Sequence, residues 1–188
     1  EPVVIKETKM RGKSSYGMIC GATEVYLEKY FPTDDDSIIV DLEGLKCYPG
    51  QNIAEVIDMN DIVLEIDNKS LTNRPDLWGH YGIARELSAI YDVPLKPLKE
   101  IEIDKNLPEY KTEIKETEKC QRYVAIEIEN VEEKDSPLWM KSLIINAGMR
   151  PINAIVDITN YVMMATGQPL HAFDRNHVEG NKITVRNA

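Results

Sequence analysis

The sequence predicts an α+β fold: a partial, small β-barrel, then a mixed helix and strand segment, then the opening elements of a further α+β domain. Three observations carry this. Strand-like runs at Ser37 to Leu42 and Ile53 to Ile57 flank a turn at Pro49-Gly50, consistent with a small barrel closing. Between Pro94 and Lys119 prolines and charges displace large apolar side chains, the composition of a linker. Beyond it the order is strand, helix, helix, strand, cut before a sheet is complete. The expected divisions are residues 1–59, 60–98, a linker at 99–119, and 120–188.

Of the 188 residues 43% are hydrophobic, enough for one large or two small cores. Acids outnumber bases 32 to 22, a formal charge of −10, so the chain as a whole repels a phosphate backbone and any RNA contact must be local or made by other parts. No apolar run approaches a membrane span. Cys20, Cys47 and Cys120 are too few and too scattered for a disulfide framework and fit a reducing cytoplasm as small core residues. The chain opens at Glu1 with neither an initiator methionine nor an apolar leader, and reads as a soluble, cytoplasmic piece of a longer protein.

Taken in order, Pro2 to Lys6 reads as a strand, followed by a polar, glycine-punctuated stretch from Arg11 to Cys20. Lys6, Lys9, Arg11 and Lys13 make this the most basic segment. Beside Ser14, Ser15 and Tyr16 these groups suit phosphate contacts, and they equally suit a solvated loop. Glu24 to Tyr30 reads as a short helix, and Asp34-Asp35-Asp36 as a solvated turn, because adjacent carboxylates do not point at one centre as an alternating calcium loop does. Ile62 to Asp67 alternates like a half-buried strand. Asn68 to Arg74 is a loop, Pro75 starts a helix capped by Asn73 or Thr72, and Leu77, Tyr81, Ala84, Leu87 and Tyr91 share one face until Pro94 stops it. Of its polar residues Asn73, Arg74, Asp76, His80 and Arg85, the Arg-Asp pair is expected to fix the loop. Tyr123 to Glu129 is a strand with Val124, Ile126 and Ile128 inward. Ser136-Pro137 opens a helix through Leu138, Leu143 and Ile144 to a stop at Gly148, with Trp139 as packing, and Lys182 to Arg186 is a last strand.

The stretch from Met149 to Asp174, MRPINAIVDITNYVMMATGQPLHAFD, organises the rest. Ile152, Ile155, Val156, Thr159, Val162, Met163 and Thr166 recur near a helical period, with Pro151 at the first helical position and Gly167 past the end. Pro169 forbids continuation, so His171 falls at a helix-to-strand junction. An imidazole there, with the Asn160 amide and Thr159 hydroxyl upstream, supplies the parts of a small pocket. The same residues also suit a purely structural tie between the helix end and the next segment.

His171, Asp174 and His177 recur every three residues, which invites a metal, but Pro169, Asn176 and Gly180 argue against the helix that would bring them together. No nucleophile-elbow signature accompanies His171.

The string RPINAIVDITNYVMMATGQPLHAFD resembles the signature at the start of the editing domain in the phenylalanyl-tRNA synthetase β-subunit family, and LTNRPDLWGHYGIARELSAIY resembles the segment preceding that domain. SSYGMIC resembles the end of the same family's oligonucleotide-binding barrel. The resemblance implies a barrel of oligonucleotide-binding type that contacts tRNA, with Lys9, Arg11 and Lys13 as contact candidates, and an editing pocket lined by Thr159, Asn160 and His171 that hydrolyses tRNA(Phe) mischarged with tyrosine. It further implies tRNA(Phe) and an α subunit as partners in an α2β2 assembly. ATP and Mg2+ serve the whole enzyme elsewhere, with no cofactor in this segment. The partner of the tyrosine hydroxyl, an acidic residue in the family, is implied to lie beyond Ala188.

Overall fold

The computed structural model describes residues 4–104 and 106–188, and among them the chain is mixed α/β, with four α-helices and two two-stranded sheets. Contacts divide it into two units, Glu1–Glu65 with Ser136–Ile152, and Ile66–Asp135 with Asn153–Ala188.

In the first unit, β1 (Thr8–Met10) and β2 (Lys13–Ser15) pair antiparallel with Met10 opposite Lys13. Arg11 and Gly12 make the two-residue turn, both at positive φ (51° and 82°), the twist that closes a tight hairpin. The basic stretch expected as a loop is therefore a ribbon. The strand expected over Pro2 to Lys6 lies partly outside the described residues, and no strand forms at Val4 to Lys6.

The barrel strands are not found among the described residues. Ser37 to Leu42 contributes only an isolated bridge, Gly21 to Ile39. Ile53–Val56 is instead a helical turn, α1. The cause is local hydrogen bonding that competes with a ladder: Asp35 accepts from the Ser37 amide (2.8 Å), Asp41 from the Glu43 amide (2.9 Å), and Asn52 caps α1 through the Ala54 amide (3.0 Å). The Glu24 to Tyr30 helix shrinks to a 3-10 turn over Thr23–Val25, ended by Tyr26 in the left-handed region.

The unit closes on α3 (Leu138–Asn146). Leu27, Tyr30 and Ile57 form a buried cluster against Phe31, Ile53, Val56, Leu138 and Ile145. The buried Ser142 hydroxyl lies 3.3 Å from the Tyr30 hydroxyl and donates toward the carbonyls of Asp58 (2.7 Å) and Ile57 (3.2 Å). The buried Lys141 ammonium donates to the Tyr30 carbonyl at 3.1 Å. Pro137, not Ser136, is the N-cap residue.

In the second unit, a 3-10 turn at Pro75–Leu77 leads into α2 (His80–Tyr91), which starts later in the chain than Pro75 alone suggests. Arg74 grips both Asp76 oxygens at 2.9 Å and reaches Glu86 at 3.1 Å, and Arg85 adds a 2.9 Å contact to Asp76. The Arg74 hydrogen bond, ahead of the Arg85 bond and the charge attraction, holds the Asp76 carboxyl down at about 2 against an ordinary 3.8. A depressed acid favours the folded state above its ordinary value and loses that contribution as pH falls to the folded one. Asp76→Asn is therefore expected to remove acid dependence between 3.8 and about 2, a small effect for an exposed cluster. Carboxyl NMR titration checks it: an Asp76 midpoint at its ordinary value would remove the clasp.

β3 (Lys111–Ile114), inside the stretch expected as linker, pairs parallel with β4 (Lys182–Val185), Thr112 beside Ile183. The strands expected at Ile62 to Asp67 and Tyr123 to Glu129 do not form among the described residues. Val124, Ile126 and Ile128 are 66%, 66% and 73% exposed, because an alternating pattern makes a strand only where a neighbour supplies the ladder.

Candidate functional site

α4 (Ala154–Thr166) is the scaffold. Asn153 starts it by accepting from the Val156 amide at 3.0 Å, so Pro151 stands outside the helix, whose cap position is the better signal. Gly167 ends it at φ 78° with its amide on the Met163 carbonyl at 2.8 Å, the left-handed stop that glycine adopts without strain. The fully buried side chain on the helix is Asp157, 1% exposed. Its acidic character gave no sequence signal for burial.

Thr159 and Asn160 are consecutive and half-buried on α4. The Thr159 hydroxyl donates to the Val156 carbonyl at 2.7 Å, which commits its proton and leaves oxygen lone pairs as acceptors. The Asn160 amide enters none of the described hydrogen bonds, so both its donor and its acceptor ends remain for a ligand. His171 is exposed, four residues past Gly167, with its ring centroid 6.3 Å from that of Phe173. The expected strand after it is absent: Asp174 caps a 3-10 turn at Arg175–His177 through the Asn176 amide, and the next strand is β4. Thr159 and Asn160 are thus consecutive near the middle of α4, where neighbouring side chains diverge around the helix, and His171 lies on the segment that leaves the helix's C-terminal end. None of the described hydrogen bonds joins His171 to Asn160. An open hollow of about 590 Å³ lined by Arg175, Asn176, Val178 and Glu179 takes in none of the three.

Asp174 lies 3.5 Å from His177 Nδ1. Among the described residues no group of three or more His, Cys, Asp or Glu side chains is placed to hold a metal ion. No helix among them is long and apolar enough to cross a membrane. On the hairpin, Arg11 sits at the tip, Lys13 opposite Met10, and Lys9 opposite Ser14. Alternation along the ribbon puts Lys9 and Lys13 on opposite faces, so the three cations surround the hairpin tip without forming one flat patch.

His80, among the polar residues of its segment but with no role assigned from sequence, proves to be tied to α4. Its Nδ1 lies 2.7 Å from the Met164 carbonyl. Sequence spacing gave no signal of this contact across 84 residues.

Residues 119–188 match the family described as the B3/4 domain. Over 184 residues, 97% of the chain, the sequence is 42% identical to the phenylalanine–tRNA ligase beta subunit of Desulfotalea psychrophila, covering 21% of that protein. It is 41% identical over 187 residues to the same subunit of Oceanobacillus iheyensis, covering 97% of the chain and 23% of that protein. For Thermotoga maritima the identity is 37% over 185 residues, 98% of the chain and 22% of the subunit. The chain spans between a fifth and a quarter of the length of these curated relatives.

Proposed function

We propose that this chain, which belongs to the phenylalanine–tRNA ligase beta-subunit family as a segment of it, supplies one side of a hydrolytic editing site for Tyr-tRNA(Phe), together with a local RNA contact at its hairpin. The observation that supports the reading is that the half-buried Thr159 and Asn160 lie on α4, with the chain turning at Gly167 into the segment of His171. An aminoacyl ester already carries a good leaving group, so orienting water and stabilising the oxyanion suffice for hydrolysis. In this reading the Asn160 amide donates to the oxyanion or the amino acid, and the Thr159 oxygen accepts from the substrate ammonium. His171 orients the attacking water or the terminal ribose.

Discrimination between tyrosine and phenylalanine rests on a buried partner for the phenolic hydroxyl, since such a partner left unpaired is costly. We assign it to sequence outside these residues. The α subunit, assembly as α2β2, tRNA(Phe), and the ATP and Mg2+ of aminoacylation belong to the same proposal, and no editing step uses the last two. Arg11, Lys9 and Lys13 contact phosphate, and their contribution is salt-dependent.

A second reading, a non-catalytic structural and RNA-binding scaffold, is favoured by the exposure of His171. Tyr-tRNA(Phe) deacylation by the intact ligase separates the two. His171→Ala is expected to slow it about a hundredfold with phenylalanylation nearly unchanged. An equal fall in both activities would leave the scaffold reading standing. Deacylation by the 188-residue chain alone, lost in His171→Ala, would place the whole pocket within it.

A further inference from the structure

We infer that His80 is a positioning residue: from the first turn of α2 it closes the C-terminal end of α4 and so fixes where the His171 segment departs. Its link to chemistry rests on the editing reading above, while its structural part does not.

The last carbonyls of a helix have no partner within it. On α4 the Val162 carbonyl accepts from the Thr166 hydroxyl at 2.8 Å and the Met163 carbonyl from the Gly167 amide at 2.8 Å. The Gln168 amide, which continued helix would direct to Met164, goes to the Thr166 hydroxyl at 3.2 Å. The Met164 carbonyl is then reached by His80 Nδ1 at 2.7 Å. A carbonyl only accepts, so Nδ1 carries the proton. The cap is thus delivered from a helix 84 residues away in sequence.

Gly79 permits the approach. A Cβ at Gly79 would lie 2.3 Å from the Gly167 nitrogen and 2.6 Å from the Thr166 carbonyl carbon, contacts that side chains do not make. At Gly167 a Cβ would meet the Pro75 oxygen only in ordinary contact at 3.4 Å, and it is the φ of 78° that favours glycine there. The end of α4 is therefore met both by the backbone at Gly79 and by the His80 imidazole. Thr159 and Asn160 ride on the helix so held, and His171 follows four residues after its stop. Releasing the last turn shifts His171 against the other two, and a misplacement of about 1 Å is enough to cost about a hundredfold in rate.

The test uses the intact ligase with His80→Ala, His80→Asn and His171→Ala, since the asparagine amide nitrogen reaches the position of Nδ1. His80→Ala is expected to speed backbone amide exchange over residues 165–173 and to lower kcat for Tyr-tRNA(Phe) deacylation about tenfold to a hundredfold, with KM and phenylalanylation little changed. His80→Asn restores both readouts. His171→Ala loses deacylation without altering exchange in α4. Unchanged exchange in His80→Ala, or failure of a folded His80→Asn to restore it, overturns the cap. Faster exchange beside normal deacylation in His80→Ala, with His171→Ala inactive, overturns the link to catalysis. Normal deacylation in His171→Ala overturns the editing reading instead, and the exchange result still decides the cap.

Discussion

Gly82→Ala is expected to destabilise the chain by about 3 kcal/mol, against the usual sign. In an ordinary helix interior alanine is favoured over glycine by about 1 kcal/mol, and Gly82 lies inside α2. Here a Cβ would stand 1.5 Å from the Asp76 carbonyl oxygen and 2.6 Å from its carbon. The obstacle is backbone, and it is poorly able to yield: Asp76 is clasped by Arg74 and Arg85, and Leu77 beside it is buried. The turn and the helix must part, exposing apolar surface and opening the route from Pro75 to the end of α4. Ala84→Gly, at an exposed site on the same helix, should cost only about 1 kcal/mol from propensity. Urea denaturation of both variants gives the comparison. If Gly82→Ala were neutral or stabilising, α2 would not approach the Asp76 turn so closely.

The same close approach marks what the sequence leaves unread. The apolar period located α4, and Gly167 located its end. The start lies past Pro151, the stronger local signal, because the Asn153 side chain makes the cap. The helix after Pro75 was legible in kind, but Gly79 interrupts it, and the reason is a contact with Gly167 rather than local propensity. Ile53 to Ile57 has the β-branched composition of a strand, yet the Asn52 cap turns it into helix. β3 is four residues, mostly polar, and nothing in Lys111 to Ile114 announces a partner 71 residues away. For the site, composition offered parts without roles. The roles proposed for Thr159, Asn160 and His171 rest on family resemblance, whereas the His80 contact and the burial of Asp157 depend on tertiary structure that no local pattern encodes.

Ile57→Ala should cost about 3 kcal/mol, and Ile57→Val about 1. The side chain is fully buried, in a cluster whose other buried members among the described residues are Leu27 and Tyr30. The partly buried Phe31, Ile53, Val56, Leu138 and Ile145 packed against the cluster can close over part of the space left behind, which sets the cost near the middle of the usual range. Position 57 is also held by its backbone: its amide donates to the Ile53 carbonyl at 3.1 Å, and its carbonyl accepts from Ser142 at 3.2 Å. The truncated site therefore cannot move readily toward α3. Ser142→Ala alone removes a buried donor from two carbonyls and a buried acceptor from the Tyr30 hydroxyl, an effect of about 1 to 3 kcal/mol. Because Ser142 and Ile57 share these contacts, the double variant should fall short of the sum by more than the roughly 0.5 kcal/mol that separated sites show. Denaturant midpoints for the four proteins measure this directly. Simple additivity would mean that the hydroxyl network and the apolar cluster stabilise the unit independently, and that α3 is not the element joining them.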